Sequence, residues 1–365
     1  MKETTNVIKL NVEELKKFCD KAKKIVKGRQ SLPILEMVMI ENGTLRVSDL
    51  QTTLSQGFED LGDFYGTLPL KELAKLVGVL PKGSYLSIHI DTLISKSTQA
   101  PQNDLKTFKA VIVTDKGMFT WVVQDPDEYP SLHNTPETYG ILYKEEIPLI
   151  KKAANYASKN ELWVRYLPVY LQGRHILATD SMVLCYYDSV GERDKPIGIH
   201  PTIIPLLEEV EYSILTNDEM DVVSLECKET KSIISYRLST EGIGKWEHIT
   251  EGDPVSTFHI SSKELLEVLK VGVLALPDNG NIMFTNMPSN SELNISILNR
   301  AEDKTFTKNI KVDNAGTRMR IGVNYFDLFR IANTEGGDLS FNLVSDNQAF
   351  FINNNLVVMP VMLED

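Results

Sequence analysis

The chain has 365 residues, a mass of 41.1 kDa and a formal net charge of −12, from 38 basic and 50 acidic residues. Its 42% hydrophobic and 24% charged content is that of an ordinary globular protein, so collagen-like, coiled-coil and wholly disordered classes are excluded. No apolar run approaches the roughly 20 residues that span a bilayer, and the first residues lack the apolar core of a signal peptide. The three cysteines never form a C-x-x-C pair. We therefore expect a cytoplasmic protein with reduced thiols, without membrane contact and with roughly two or three domains.

Six short amphipathic segments recur along the chain, each flanked by runs rich in β-branched and aromatic residues. In the first, at residues 12–26, the apolar side chains share one helical stripe, and strand-like runs follow at 34–40 and 44–47. The other five predicted helices span residues 69–80, 144–157, 201–210, 261–274 and 324–332. A repeat of roughly 55–75 residues indicates one structural unit used several times.

Two polar, proline-containing stretches, at 124–130 and 251–254, fall near one third and two thirds of the chain. They predict three domains, at residues 1–128, 129–253 and 254–365, with two helices in each. The expected fold is α+β, with the helices of three similar domains packed on antiparallel sheets. The alternative is a single irregular α/β fold in which the spacing is coincidental.

Basic residues are concentrated in the first predicted helix and its exit, where seven Lys and Arg face three acids and give a local charge of +4. A positive face on a negative protein predicts a polyanion partner, because the remaining surface repels that partner. The lysines that extend this basic face are Lys71, Lys75, Lys82, Lys151, Lys152 and Lys159. The alternative is that these lysines only solvate the outer sides of amphipathic helices.

The sequence has none of the common catalytic or metal-binding motifs. It contains no H-E-x-x-H, no G-x-S-x-G and no phosphate-binding loop, and its six histidines never fall at i, i+4 spacing. We therefore predict no catalytic residue, no metal and no cofactor. An unrecognised hydrolase that uses Asp125, Asp127 and Glu128 is an alternative from a different functional class.

Five segments carry a family resemblance: G-R-Q-S-L-P-I-L at 28–35, Y-P at 129–130, A-T-D at 178–180, R-M-R-I-G-V-N at 318–324 and V-V-M-P-V-M-L at 357–363. In these segments, and along its whole length, the chain resembles the bacterial sliding clamp, the β subunit of DNA polymerase III. The resemblance implies a non-catalytic replication factor whose three-domain subunits pair head to tail as a homodimeric ring. Such a ring encircles double-stranded DNA without sequence preference and tethers the polymerase.

The resemblance, together with helix position and charge, implies two sets of site residues. The residues expected to face DNA are Arg29, Lys16, Lys23, Lys24, Lys27 and Lys159. The second set lines a pocket between the second and third domains that takes short peptides of the polymerase catalytic subunit and the clamp loader. Its expected lining is Thr179, Ser181, Met182, Leu184, Ile249, Val357, Met359, Pro360, Val361, Met362 and Leu363.

The pocket segments depart from the family pattern at a few positions. Residues 181–183 are Ser-Met-Val where the family usually has Gly-His-Arg, and Val361-Met362 stand where Met-Arg is common. Glu364 and Asp365 follow the last leucine. We expect a more apolar pocket with acids at its mouth and a changed peptide preference. A monomeric peptide-binding scaffold derived from a clamp is the remaining alternative.

Overall fold

The computed structural model describes residues 7–95, 105–131, 135, 137–237, 241–250 and 252–362. They form two compact units. The first unit comprises Met1–Ile147 and Thr202–Leu238, and the second unit comprises Pro148–Pro201 and Ser239–Asp365. The predicted boundaries at 128/129 and 253/254 do not coincide with the limits of these units, and the division into three domains stays a prediction.

Five α-helices lie in the described part of the chain: α1 (Val12–Ile25), α2 (Leu70–Val79), α3 (Glu146–Ala153), α4 (Ser262–Gly272) and α5 (Tyr325–Glu335). They match five of the six predicted helices. The sixth prediction, at 201–210, is wrong, because the only helical turn there is a 3-10 turn at Ile204–Leu206. Pro205 has no N–H and its ring collides with the preceding turn, which prevents an α-helix through the middle of this segment.

Side-chain caps explain where three of these helices begin. The side chains of Asn11, Ser261 and Asn324 accept backbone N–H groups at the starts of α1, α4 and α5. Such caps satisfy donors that have no partner inside the helix. In α1, Leu15, Phe18 and Ala22 are fully buried, as the apolar stripe predicts.

The first unit contains two antiparallel sheets. Its strands are β1 (Ile8–Asn11), β2 (Met37–Glu41), β3 (Thr44–Ser48), β4 (Thr52–Gly57), β5 (Gly66–Pro69), β6 (Tyr85–Ser95), β7 (Leu105–Thr114), β8 (Gly117–Val123), β9 (Glu137–Leu142), β12 (Tyr212–Thr216), β13 (Val222–Cys227) and β14 (Ser232–Arg237). One sheet has the order β1-β6-β7-β8, and the other β5-β2-β3-β4-β14-β13-β12-β9. The pairing of β4 with β14, with Thr53 opposite Ser235, merges two sets of four strands from distant parts of the sequence.

The second unit also has two antiparallel sheets. Its strands are β10 (Val169–Thr179), β11 (Val183–Ile199), β15 (Ser256–Ser261), β16 (Asn281–Met287), β17 (Glu292–Asn299), β18 (Lys304–Lys311), β19 (Asp313–Gly316), β20 (Met319–Asn324), β21 (Asp338–Leu343), β22 (Phe350–Ile352) and β23 (Leu356–Val358). Their orders are β10-β11-β23-β22-β21-β15-β19 and β18-β17-β16-β20. Helices on antiparallel sheets confirm the predicted α+β class.

Stacked aromatic rings form part of the core of the second unit, and this predicts a large cost for truncation. Phe258 is fully buried and lies parallel to Phe341, with ring centroids 4.5 Å apart. We expect Phe258→Ala to lower the free energy of unfolding by about 3–5 kcal/mol. The matched control is Phe326→Ala, since Phe326 is 60% exposed, and it should cost about 0.5 kcal/mol. Equal shifts of the two urea midpoints would contradict this placement of the core.

Candidate functional sites on the two units

The lysines of α1 lie on two adjacent faces of the helix. Lys16 and Lys23 share one face with Asp20, at i, i+4 and i+7 spacing, and Lys23 Nζ lies 2.9 Å from the Asp20 carboxylate. On the neighbouring face Lys21 pairs with Glu208 at 3.0 Å. Lys24 donates to the backbone carbonyl of Pro205 at 2.9 Å. Two of the expected DNA-facing lysines, Lys23 and Lys24, therefore already have protein partners.

Arg29 lies beside a groove between α1 and α2. The preceding residue, Gly28, has φ +67°, a left-handed conformation that glycine adopts at little cost and that turns the chain after the helix. The groove has a volume of about 610 Å³, and Lys23, Lys71 and Lys75 line it together with Arg29. The structure thus joins two of the expected residues to two lysines of α2.

The base of this groove is apolar, with Val26, Leu70 and Ala74. Glu36 is the only acid among the lining residues, and its carboxylate accepts the backbone N–H of Gln30 at 3.0 Å. Four cations around one carboxylate give the groove a net positive charge. Such a groove attracts phosphate groups without reading base sequence.

The other expected DNA-facing residues lie outside this groove. Lys16 and Lys27 are exposed and form no ion pair with any residue that the structure describes. Lys159 is exposed in the loop that follows α3, and it belongs to the second unit, whereas the other five belong to the first. The structure therefore brings Lys23 and Arg29 into one basic groove.

The A-T-D segment ends β10 and begins a tight turn into β11. Asp180 Oδ1 accepts the backbone N–H groups of Met182 at 3.0 Å and Val183 at 2.9 Å. Thr179 Oγ1 accepts the N–H of Ser181 at 3.0 Å and donates to the Val183 carbonyl at 2.8 Å. Two short polar side chains thus fix the whole turn, which we call the 180–183 turn.

The C-terminal segment 357–362 lies against this turn. Leu184 pairs with Val357 in the β11–β23 ladder, and the Met359 N–H donates to the Met182 carbonyl at 2.9 Å. On the other side, the Val361 N–H donates to the Gly322 carbonyl of β20, also at 2.9 Å. Leu363, expected in the pocket lining, lies outside the described residues.

An apolar cluster lies beneath the 180–183 turn and the C-terminal segment. Its buried members are Tyr170, Leu177, Leu184, Ile243, Trp246, Phe351 and Val357, and Tyr186, Ile249, Val344 and Ala349 pack against it. Above it, Met182 is 38% and Met359 43% exposed. Methionines at the edge of an apolar surface can adapt to several ligand shapes. We call this surface the methionine-rimmed patch.

Of the expected pocket residues, the structure brings Leu184, Ile249 and Val357 into the cluster, and it joins Met182 and Met359 by a backbone hydrogen bond. Met362 lines a separate cavity of about 500 Å³, together with Arg320 and residues of β16 and β17. The C-terminal segment therefore borders one cavity at Met362 and contributes Val357 to the apolar cluster.

The tyrosines of the cluster are neutral at physiological pH. Burial raises the pKa of Tyr170 to about 12, and its hydroxyl donates to the Arg165 carbonyl at 3.0 Å. Burial, and secondarily the charge of Asp188, also raises the pKa of Tyr186. The base of the patch is suited to apolar side chains.

The acids of the hydrolase alternative take part in a local turn. The Asp125 side chain accepts the backbone N–H of Asp127 at 3.0 Å, and the Tyr65 hydroxyl donates to the Asp127 carboxylate at 2.8 Å. Asp125 caps a 3-10 turn at Pro126–Glu128, which contains the other two acids. These contacts give Asp125 and Asp127 a structural role.

Comparison of the structure with solved proteins identifies the fold. The DNA polymerase III subunit beta of Pseudomonas aeruginosa superposes with a TM-score of 0.81 at 17% identity, covering 98% of this chain and 100% of that one. The DNA polymerase sliding clamp of Bacillus subtilis gives 0.78 at 16% identity, covering 99% and 100%. A Pseudomonas aeruginosa clamp bound to griselimycin gives 0.80 at 16%, covering 98% and 100%. No protein-family model and no curated protein sequence matches the chain.

The architecture is therefore that of a clamp subunit, an α+β protein in which helices pack on antiparallel sheets. More particularly, the chain has the fold of the bacterial sliding clamp, the β subunit of DNA polymerase III, over nearly its whole length. This confirms the fold that the sequence resemblance implied. No helix in the described ranges is long and apolar enough to cross a membrane.

Sequence reasoning missed several residues of these sites. Trp246, Tyr170 and Phe351 lie in three distant segments, and only tertiary packing brings them together under the patch. Lys71 and Lys75 are different, because the sequence analysis places them on the extended basic face but leaves them out of the DNA-facing set. Their i, i+4 spacing on one face of α2 is the signal that joins them to it.

The 180–183 turn predicts one stabilising substitution. Ser181 has φ +79° and an exposed side chain, so Ser181→Gly removes a Cβ from a conformation that disfavours it. We expect a net gain of about 0.5–1 kcal/mol after the added freedom of the unfolded chain. Ser181→Ala keeps the Cβ and should change stability by less than about 0.5 kcal/mol. Thermal unfolding measures both, and a lower midpoint for the glycine variant would contradict the strain argument.

Proposed function

We propose that the protein is a non-catalytic DNA sliding clamp, a processivity factor of DNA replication. The observation that carries this proposal is the clamp fold, which spans nearly the whole chain and nearly the whole of each solved clamp it resembles. In this role it encircles duplex DNA in the cytoplasm and tethers the polymerase by topology. It needs no catalytic residue and no cofactor.

DNA contact in this proposal uses the basic groove between α1 and α2. Arg29, Lys23, Lys71 and Lys75 bind backbone phosphates, and Lys16, Lys24, Lys27 and Lys159 add positive charge to the DNA-facing surface. Phosphate contacts favour no base sequence and no fixed register, which permits sliding. The net charge of −12 repels DNA from the remaining surface.

The proposed ring closes by pairing of sheet edges between two copies. The outermost strand β8 exposes Met118, Phe119 and Val122, at 69%, 40% and 67%. An apolar edge strand in solvent is an aggregation site unless another chain covers it. In the second unit, β18 is likewise outermost, and Leu298 of the adjacent β17 is 52% exposed.

We propose that β8 of one copy pairs with β18 of the other, which gives a head-to-tail homodimer. Each subunit would have domains at 1–128, 129–253 and 254–365. This pairing would join a sheet of one copy to a sheet of the other, as the β4–β14 pairing joins two four-stranded sets into one sheet within the chain. Both edge strands are long enough, with 7 and 8 residues.

The methionine-rimmed patch is the proposed partner site. Its apolar base and adaptable rim suit short peptides with apolar anchors, as expected for a polymerase catalytic subunit and a clamp loader. A clamp of Pseudomonas aeruginosa with this fold is bound to griselimycin, and we propose griselimycin as a second test ligand for the patch.

Charge reversal at Arg29 tests the DNA surface. Arg29→Glu removes one phosphate contact and adds a repulsive charge to the groove, so we expect about tenfold weaker binding to a short labelled duplex. The salt dependence of binding should fall by about one phosphate contact. Arg174→Glu is the matched control, because Arg174 is a 75% exposed arginine on β10 that pairs with Glu192. Fluorescence anisotropy over a salt series measures both, and equal losses would contradict the assignment.

A charge on β8 tests ring closure. The wild-type particle should have twice the chain mass of 41.1 kDa, and Val122→Asp should shift it to the monomer, because a carboxylate desolvated at an apolar interface is costly. Val190→Asp is the control, since Val190 of β11 is similarly exposed, at 62%. Light scattering coupled to chromatography gives the masses. A wild-type monomer at all concentrations would favour the scaffold alternative, and a dimeric Val122→Asp variant would contradict the proposed edge.

A further inference from the structure

Arg330 of α5 holds two carboxylates at the edge of the methionine-rimmed patch. One guanidinium nitrogen, Nη1, lies 2.5 Å from Asp180 Oδ2, and the other, Nη2, lies 2.7 Å from Asp327 Oδ1. The three side chains are only 22%, 20% and 15% exposed, for Arg330, Asp180 and Asp327. Charge-assisted pairs with this little solvent are among the stronger polar contacts of a protein.

Asp180 links this ion pair to the 180–183 turn. Its Oδ1 closes the turn by accepting the N–H groups of Met182 and Val183, while its Oδ2 accepts from Arg330. One carboxylate group therefore joins α5 to the turn that carries a rim methionine. Any rotation of the Asp180 side chain that breaks the Arg330 contact also disturbs the hydrogen bonds inside the turn.

The C-terminal segment is tied to the same helix by two routes. Met359 is hydrogen bonded to Met182 of the turn, and Val361 is hydrogen bonded to Gly322 of β20. β20 ends at Asn324, whose side chain caps the start of α5. Helix α5 thus anchors the 180–183 turn through Arg330 and the segment 359–361 through β20.

The surroundings of Arg330 require an arginine. The guanidinium lies 5.5 Å from the centre of the Tyr156 ring, and its two nitrogens face carboxylates from different elements. A lysine ammonium is a single point of charge and cannot reproduce this fork. Burial raises the pKa of Asp327, with Arg330 opposing the rise and the Asp180 charge adding to it, as expected for two acids that share one cation.

We infer that Arg330 is a positioning residue for the partner-peptide site, holding the 180–183 turn, through Asp180, in the conformation that receives the peptide. This inference rests on the proposed function of the patch. It assigns a binding role to a side chain that acts on the peptide only through Asp180. The pocket shape then depends on where α5 lies.

The test uses the full chain and a fluorescein-labelled peptide with leucine and phenylalanine anchors. Arg330→Met keeps an unbranched stem of similar length beside Tyr156 and removes both ion pairs, and we expect it to raise the peptide Kd about tenfold. Arg330→Lys, which can hold one carboxylate, should fall between this variant and the wild type. Asp327→Asn leaves the Arg330–Asp180 contact in place and should keep the Kd within about twofold.

A double variant separates positioning from general stability. Arg330→Met leaves two carboxylates without their cation, so its melting temperature should fall, and adding Asp327→Asn should recover part of that loss. The peptide Kd should not recover, because Asp180 is still not held. If affinity returns together with the melting temperature, Arg330 acts through stability alone and the inference is overturned.

Hydrogen exchange reports on the turn without the peptide. In Arg330→Met, amides in segments 180–186 and 356–361 should exchange faster, while those of β15 and β21 keep their wild-type rates. Unchanged exchange in 180–186 would overturn the inference. If the wild-type protein binds neither the peptide nor griselimycin, the proposed patch itself is overturned. If the wild-type protein binds the peptide and Arg330→Met binds it with the same Kd, only the role of Arg330 is overturned.

Discussion

The edge of a β-sheet presents a row of backbone N–H and C=O groups without partners, and the architecture of this protein depends on where such edges are joined. Within the chain, β4 pairs with β14 and β11 pairs with β23, so that strands far apart in sequence continue one another's sheets. These junctions make each unit from discontinuous segments. The helices then pack on sheets whose extent the junctions have already fixed. The proposed ring extends the same pairing to a second copy.

Much of this fold could be predicted from sequence because its helices have strong local patterns. The apolar stripe of α1, its Asn11 cap and the regular recurrence of similar segments are all local features. The wrong helix at 201–210 has a local cause as well, because the apolar spacing of this segment is helical but Pro205 prevents an α-helix there. The strand pairings could not be predicted in this way, because no sequence feature of residues 52–57 indicates that they pair with residues 232–237.

The candidate sites also contain some residues that local sequence patterns predict and others that only the tertiary structure brings together. Arg29 could be predicted from a short motif, and its position beside the basic groove follows from the turn at Gly28. The methionine-rimmed patch could be predicted only in part. Its rim lies in two recognisable segments, but Trp246 and Tyr170 reach its base through tertiary packing. The contact between Arg330 and Asp180 joins residues 150 positions apart and has no sequence pattern at all.

Charge and topology have separate roles in the proposed clamp. A groove with four cations attracts the DNA backbone, but contacts of this kind weaken steeply with salt. A closed ring keeps its DNA even when those contacts are weak, because release requires a DNA end or an open interface. Processivity would then depend on ring closure, and the partner patch would be free to bind its peptides with modest affinity.

The most direct test of the clamp is retention on circular DNA. The subunits would be dissociated by dilution and reassembled by concentration in the presence of a nicked plasmid. The mixture would then be passed through a sizing column at high salt, because high salt removes protein that is bound only electrostatically. The account predicts that protein elutes with the circular plasmid and is lost after a single restriction cut. Equal release from circular and linearised plasmid would contradict encirclement, and with it the proposal that this chain tethers by topology.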